Sequence, residues 1–161
     1  MALKLYGSPY STATKRVAIV LQEKHVPFEF INIDLIKGEH KAPAFVAKQP
    51  FGQVPLIDDE GFILYDSRAL GRYIASKYAS QGPALIPTGN LKAAALFEQA
   101  VFSELANFEG AAQALCYEKW FKSMTGQEAD EAVVAENKAR LEGTLDVYEN
   151  ILKPGPRHLC T

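Results

Sequence analysis

Cysteine is scarce: Cys116 and Cys160 are the only two in 161 residues, and no CxxC pair occurs. A disulfide framework is excluded, and a chain of this length needs none, since it can bury roughly two-thirds of its unfolded surface. So few thiols fit a reducing intracellular compartment. An excess of one charge is also lacking. Seventeen basic residues face nineteen acidic ones, for a formal charge of −2, and no basic stripe is present. That argues against a nucleic-acid partner. No apolar run approaches the roughly 20 residues of a membrane span. The opening Met1-Ala2-Leu3-Lys4-Leu5-Tyr6 lacks the basic-then-apolar pattern of a secretory signal. The expected location is cytoplasmic, with neither membrane nor nucleic acid as partner. Internal repeats and low-complexity tracts are missing too. What remains is 48% hydrophobic and 22% charged, with 11 Gly and 9 Pro, an ordinary globular composition for one domain or two small ones.

The first eighty residues alternate strand and helix signals. Leu3-Lys4-Leu5-Tyr6 has a period of two and stops at Gly7-Ser8-Pro9. From Ser11 to Lys24 the period becomes helical, with Ala13, Val17, Val20 and Leu21 on one side. Phe28 to Ile33 reads as a second strand, so the unit is strand–helix–strand, which pairs its strands in parallel. A polar stretch from Lys37 to Pro50 holds one irregular helix near Phe45 to Ala47. Val54-Pro55-Leu56-Ile57 and Phe62 to Tyr65, joined by Asp58-Asp59-Glu60-Gly61, read as a hairpin. Ser67 to Tyr78 is helical again. The order β-α-β-β-β-α predicts an α/β domain over residues 1–80 with a mixed four-stranded sheet. Gln81-Gly82-Pro83 and Pro87-Thr88-Gly89 mark a linker over 81–89, and residues 90–161 carry no strand signal. There, Asn90 caps a long helix to about Phe121, Thr125-Gly126 breaks it, and a second runs from about Glu128 to Leu152 before Pro154-Gly155-Pro156.

Three local features carry chemistry, and each has a plainer role beside it. Ser11 opens the first helix, where a serine ordinarily caps a backbone N–H. The same position can aim a hydroxyl and a helix dipole at an anion such as a thiolate and lower its pKa. Val54-Pro55 precedes a strand. It is either an ordinary strand-entry proline or a cis-proline that exposes the Val54 backbone to an extended peptide. Asp66-Ser67 opens the third helix. The capping reading puts Ser67 at the N-cap; the functional one puts a ligand carboxylate on the helix N-terminus and its ammonium on Asp66. His40-Lys41 is either a solvated loop pair or a clamp for a second carboxylate.

Taken together these features form one pattern. The element order, Ser11, Phe51-Gly52-Gln53-Val54-Pro55, and Asp66-Ser67-Arg68 followed by Leu70 and Tyr73-Ile74-Ala75 resemble the glutathione transferases, and within them the phi class of plants and fungi. Leu3 to Gly7, Ser11 to Val17, Gly38-Glu39-His40-Lys41 and Tyr65 to Ile74 match in order and spacing. The resemblance implies a thioredoxin-like N-terminal domain, an all-α C-terminal domain and conjugation of glutathione thiolate to hydrophobic electrophiles in detoxification. It implies Ser11 as the catalytic hydroxyl, His40 and Lys41 on the glycine carboxylate, and Gln53, Val54 and cis-Pro55 along the peptide. Asp66 and Ser67 would hold the γ-glutamyl end, where the family more often has Glu in place of Asp66. The electrophile would lie near Tyr10, Leu35 and the inner face of the first long helix, with Tyr117 and Phe121 as candidates. Phe51 resembles the aromatic anchor of a homodimer. No metal and no organic cofactor is implied, glutathione being a co-substrate.

The energetics are within reach. A free thiol titrates near 8.5, and lowering that to about 6.5 takes ~2.7 kcal/mol, within range of one charge-assisted hydrogen bond and a helix dipole. The resemblance fades after Leu152. Family members continue with more helices, so the sequence predicts an all-α domain truncated after its second long helix, and a marginally stable, weakly active protein. A second class is then a non-catalytic binder of glutathione and hydrophobic ligands. A thiol-redox role would need cysteine where Ser11 stands.

Overall fold

Alternation in Leu3–Gly7 (β1) buries Leu3 and Leu5 on one face of a sheet, because side chains two apart share a face. The computed structural model describes residues 2–153. The chain divides into two compact units, Met1–Ile86 and Pro87–Thr161, the division falling inside the stretch 81–89. In the first unit β1 pairs in parallel with β2 (Phe28–Asn32), from Leu3↔Phe28 to Gly7↔Asn32, with α1 (Thr12–Glu23) as the crossover. β3 (Leu56–Asp59) lies antiparallel to β1, and β4 (Phe62–Tyr65) antiparallel to β3. The strand order β2-β1-β3-β4 makes the mixed four-stranded sheet of a thioredoxin-like domain.

The two faces are covered differently. Leu3, Leu5 and Ile57 pack with Val17 and Leu21 of α1 and with Leu70 and Ile74 of α3 (Ser67–Lys77). On the other face Leu56 packs with Ile33 and with Phe45 of the short α2 (Pro43–Val46), which follows a 3₁₀ turn at Glu39–Lys41. Leu56 and Ile57 are adjacent, so the strand's pleat sends one to each cluster. At the end of α1, Lys24 is fully buried and donates from Nζ to the Pro83 carbonyl at 2.9 Å. Gly82, at φ +59°, lies so near that a Cβ would stand 2.0 Å from the Glu23 carbonyl oxygen.

The hairpin differs from its expected bounds. Val54-Pro55 stands outside the strand, with a cis peptide between the two residues. Asp58 and Asp59, expected in the connector, pair with Ile63 and Phe62 instead. The turn is only Glu60-Gly61, at φ 55° and 92°, the pair of positive values that a type I′ turn demands. Asp58 Oδ1 accepts the Gly61 N–H at 2.8 Å. Asp59 is buried because the Tyr73 hydroxyl and the Lys77 ammonium both reach its Oδ2.

In the second unit Asn90 caps α4 (Leu91–Ser103), its Oδ1 accepting from the Lys92 and Ala93 N–H groups at 3.0 and 3.1 Å. The expected single helix is a continuous helical run to Met124 that twice widens into π-helical turns. Glu104–Glu109 precedes α5 (Gly110–Cys116), and Tyr117–Phe121 precedes α6 (Lys122–Met124). Around the first widening, Asn107 Nδ2 donates to the Ser103 carbonyl at 3.0 Å and Thr144 Oγ1 to the Asn107 carbonyl at 3.3 Å. Such side chains satisfy carbonyls where the regular ladder shifts. The second long helix, α7 (Glu131–Leu152), begins three residues later than expected, because Asp130 is its cap. Buried Glu118 ties that start down, its Oε2 accepting the Asp130 N–H at 2.7 Å and the Lys122 ammonium at 2.6 Å. Among the described residues this unit buries two apolar side chains, Ala111 and Val134. Among them, too, no helix is long and apolar enough to cross a membrane. The tail with Pro154-Gly155-Pro156 and Cys160 lies outside the described residues.

Candidate functional site

Ser11 stands where β1 hands over to α1, at the N-cap with φ −84° and ψ 122°. Its Oγ accepts the Thr14 N–H at 3.2 Å and its own N–H donates to the Ser8 carbonyl at 3.0 Å. Capping therefore uses one lone pair of the oxygen. The hydroxyl keeps its ability to donate, in a buried position at the positive end of a helix. The capping role expected of Ser11 is the one the structure shows.

The loop before β3 is built around a buried polar side chain. Gln49 Oε1 accepts the Gln53 N–H at 3.1 Å, while the Gly52 N–H donates to the Gln49 carbonyl at 2.9 Å. Gly52, at φ +56°, presses so closely on the 3₁₀ turn that a Cβ would meet the His40 carbonyl oxygen and Lys41 Cδ at 2.8 Å each. Lys41 donates from Nζ to the Phe51 carbonyl at 3.0 Å. His40, Lys41, Gln53, Val54 and cis-Pro55 are thus gathered on adjoining loops. His40 Nδ1 is enclosed yet has no hydrogen-bond partner. Burial, and then the neighbouring Lys41 charge, hold its imidazole below the ordinary 6.5. A buried polar atom without a partner costs free energy unless a ligand completes it.

At the third helix the cap is Asp66 rather than Ser67. Asp66 sits at φ 70°, and its Oδ1 accepts from the Arg68 and Ala69 N–H groups at 3.0 and 3.1 Å. A positive φ is tolerated by aspartate better than by most residues. Ser67 is the first helical residue and is buried. Its Oγ accepts from Arg16 Nη1 at 2.7 Å, a contact that joins α1 to α3.

The remaining candidates are more scattered. Tyr10 is half exposed on the Ser11 loop, and Leu35 packs against the Ile33–Phe45–Leu56 cluster. Phe51 is 67% exposed and meets Tyr65 edge-on, with ring centroids 6.2 Å apart. Tyr117 and Phe121 belong to the second unit: Tyr117 is exposed beneath the Lys122 ammonium, and Phe121 lies against Trp120. Among the described residues, no group of three or more His, Cys, Asp and Glu could hold a metal ion. Thr14, Arg16 and Gln49 were not legible as site residues.

Known proteins share this fold. A family model described as "Glutathione S-transferase, N-terminal domain" matches residues 5–84. Glutathione S-transferase F6 of Arabidopsis thaliana is 40% identical over 150 residues, which cover 93% of this chain and 71% of the relative. The crystal structure of glutathione transferase F7 from Populus trichocarpa superposes with a TM-score of 0.89 at 38% identity, covering 94% of this chain and 71% of that one. Glutathione S-transferase I from maize, solved with an atrazine glutathione conjugate, gives 0.82 at 33% identity, with coverages of 93% and 69%. Identity at this level, over more than nine-tenths of the chain and with the mixed sheet reproduced, places the chain among the glutathione S-transferases, in the plant phi class.

Proposed function

We propose that the first unit binds glutathione along the line from Asp66 to Lys41 and that Ser11 holds its sulfur as thiolate. The observation that carries this is the buried Ser11 hydroxyl, capped into place by one lone pair and still able to donate. A donor at a helix N-terminus stabilises the ionised sulfur over the thiol. The unpartnered His40 Nδ1 and the Lys41 ammonium suit the glycine carboxylate. The Val54 backbone at the cis-proline pairs with the cysteinyl peptide beside Gln53. Asp66 takes the γ-glutamyl ammonium through Oδ2, since its cap uses Oδ1, and Ser67 with the start of α3 takes the α-carboxylate.

The thiolate attacks an electrophilic carbon. A carbon–sulfur bond forms, and either a leaving group departs with its electron pair or a double bond takes up the pair and then a proton. The atrazine conjugate of the maize relative supports apolar aromatic electrophiles, with Tyr10 on the Ser11 loop and Leu35 after β2 as candidates to meet them. Tyr117 and Phe121 are further candidates on the helical unit. The protein works in the cytoplasm as a homodimer, with exposed Phe51 as the anchor. Glutathione is its co-substrate.

The test is Ser11→Ala in the 161-residue chain. Loss of the donor raises the pKa of bound glutathione and cuts conjugation of an aryl halide by about a hundredfold at neutral pH, while glutathione affinity changes little. A variant that conjugates at the parental rate at about pH 6.5 removes Ser11 from the chemistry.

A further inference from the structure

Three backbone and side-chain bonds close a ring around the start of α1. The Ser8 N–H donates to Thr14 Oγ1 at 3.3 Å, the Thr14 N–H donates to Ser11 Oγ at 3.2 Å, and the Ser11 N–H donates to the Ser8 carbonyl at 3.0 Å. Every member is buried: Ser8 and Thr14 are each 2% exposed and Ser11 is 9% exposed. The Tyr10 N–H adds a fourth bond to Ser8 Oγ at 3.4 Å. The Thr14 side chain is held from its other side as well. Its methyl lies flat on Gly7 at the end of β1, where a Cβ would stand 2.3 Å from Thr14 Cγ2. A threonine is stiff at χ1, so fixing the methyl fixes the hydroxyl. A helical threonine ordinarily bonds back to a carbonyl of its own helix. Here the hydroxyl reaches out of the helix to the turn that carries Ser11.

We infer that Thr14 is a positioning residue for Ser11, its hydroxyl setting the height and tilt of the Ser8–Ser11 turn and so the direction in which Ser11 donates. This rests on Ser11 being the group that stabilises the glutathione thiolate. Thr14 touches no substrate. Without its Oγ1 the Ser8 N–H is a buried donor with no acceptor, and the turn must open to find one. Ser11 Oγ then moves relative to the sulfur, and displacements well under an ångström weaken a directional hydrogen bond to a developing or resting charge. The glutathione contacts at His40, Lys41, Gln53, Val54, Asp66 and Ser67 lie elsewhere, so binding is spared.

The experiment compares Thr14→Val, which keeps the shape and removes the hydroxyl, with Thr14→Ser, which keeps the hydroxyl. Two readouts are taken on the 161-residue chain: the ultraviolet absorbance of glutathione thiolate on the protein across pH, and kcat and KM for glutathione. Thr14→Val moves the thiolate titration to higher pH, so that thiolate at neutral pH falls about tenfold. Its kcat falls by a similar factor with KM little changed, and Thr14→Ser stays close to the parent. A role in stability alone would lower Tm without moving the titration. If Thr14→Val does not unfold cooperatively, Thr14→Ala, which cannot overfill the site, carries the same comparison. A parental thiolate titration in a folded Thr14→Val or Thr14→Ala protein overturns the inference, as does a titration lost in Thr14→Ser. Ser11→Ala separates the two levels. If it leaves the titration unchanged, the role of Ser11 falls and Thr14 with it; if it abolishes the thiolate while Thr14→Val does not shift it, only the role of Thr14 falls.

Discussion

At His40, burial first and then the Lys41 ammonium hold the imidazole pKa below 6.5, and Nδ1 is enclosed without a partner. A ligand carboxylate at that atom favours the protonated ring, so binding raises the pKa and takes up a proton. The sign follows from that linkage. Affinity strengthens as pH falls through the pKa of the complex and levels off below that of the free protein. S-methylglutathione isolates the effect, because its sulfur does not titrate. It is expected to bind more tightly at about pH 5.5 than at about pH 7.5, with His40→Ala flattening the profile. Lys41→Ala weakens binding about tenfold or more at every pH, the scale of a charged hydrogen bond. Asp66→Asn keeps the helix cap and removes only the charge, so its loss of affinity reports the ammonium contact. A flat calorimetric profile in the parent protein shows the carboxylate to be elsewhere. Ser11 and Pro55 were legible in the sequence because capping and cis-proline turns are local events. Arg16 and Gln49 were not, since their roles come from tertiary contacts. Arg16 meets a serine 51 positions away, and Gln49 is buried only because the loop folds over it.

Among the elements, the β3–β4 hairpin shows how a local signal can mislead at its edge. Asp58-Asp59-Glu60-Gly61 carries the residue types of a turn, yet Asp59 becomes a buried strand residue once α3 brings Tyr73 and Lys77 to it. A tertiary contact also supports the start of α7, where Asp130 is the cap and Glu118 accepts the Asp130 N–H. The π-helical turns left no periodic trace at all, because one extra residue per widened turn merely rotates the apolar stripe. The Asp59 cluster makes a pH-dependent prediction. Burial pushes its carboxyl up, but hydrogen bonds from Lys77 and Tyr73 and the Lys77 charge outweigh that and hold it below 3.8. The hydrogen bond to Asp59 raises Lys77 above 10.5. Asp59 therefore contributes stability fully above about pH 4, lost as pH falls through its folded pKa. Lys77 contributes fully below about pH 10, lost as pH rises through its own. Asp59→Asn is expected to cost about 1–2 kcal/mol in urea unfolding at neutral pH, reduced from the full charged-bond value because Lys77 is partly solvated. The deficit should shrink in acid. An unchanged midpoint across that range shows the cluster to be ornamental.

For the molecule as a whole the apolar surface is unevenly placed. The first unit buries eleven apolar side chains in two clusters, one on each face of its sheet, whereas Leu91, Phe102, Leu105, Tyr117, Trp120, Leu145, Val147 and Leu152 of the second are exposed. Phe51 stands out in the first unit for the opposite reason: a large aromatic at the tip of a polar loop, braced from beneath by the Lys41 bond to its carbonyl and edge-on to Tyr65. If that ring were simply packed within its own chain, the Tyr65 contact would cover it; 67% of it remains open. An exposed aromatic buries a large apolar area if it docks in a partner. Phe51→Ala is expected to weaken self-association about thirtyfold or more, the scale of a hot-spot residue, without moving Tm when measured on the monomer. Sedimentation velocity over a concentration series reads the change directly. A parent protein that stays monomeric throughout, or a variant that dimerises as tightly as the parent, assigns Phe51 to its own chain.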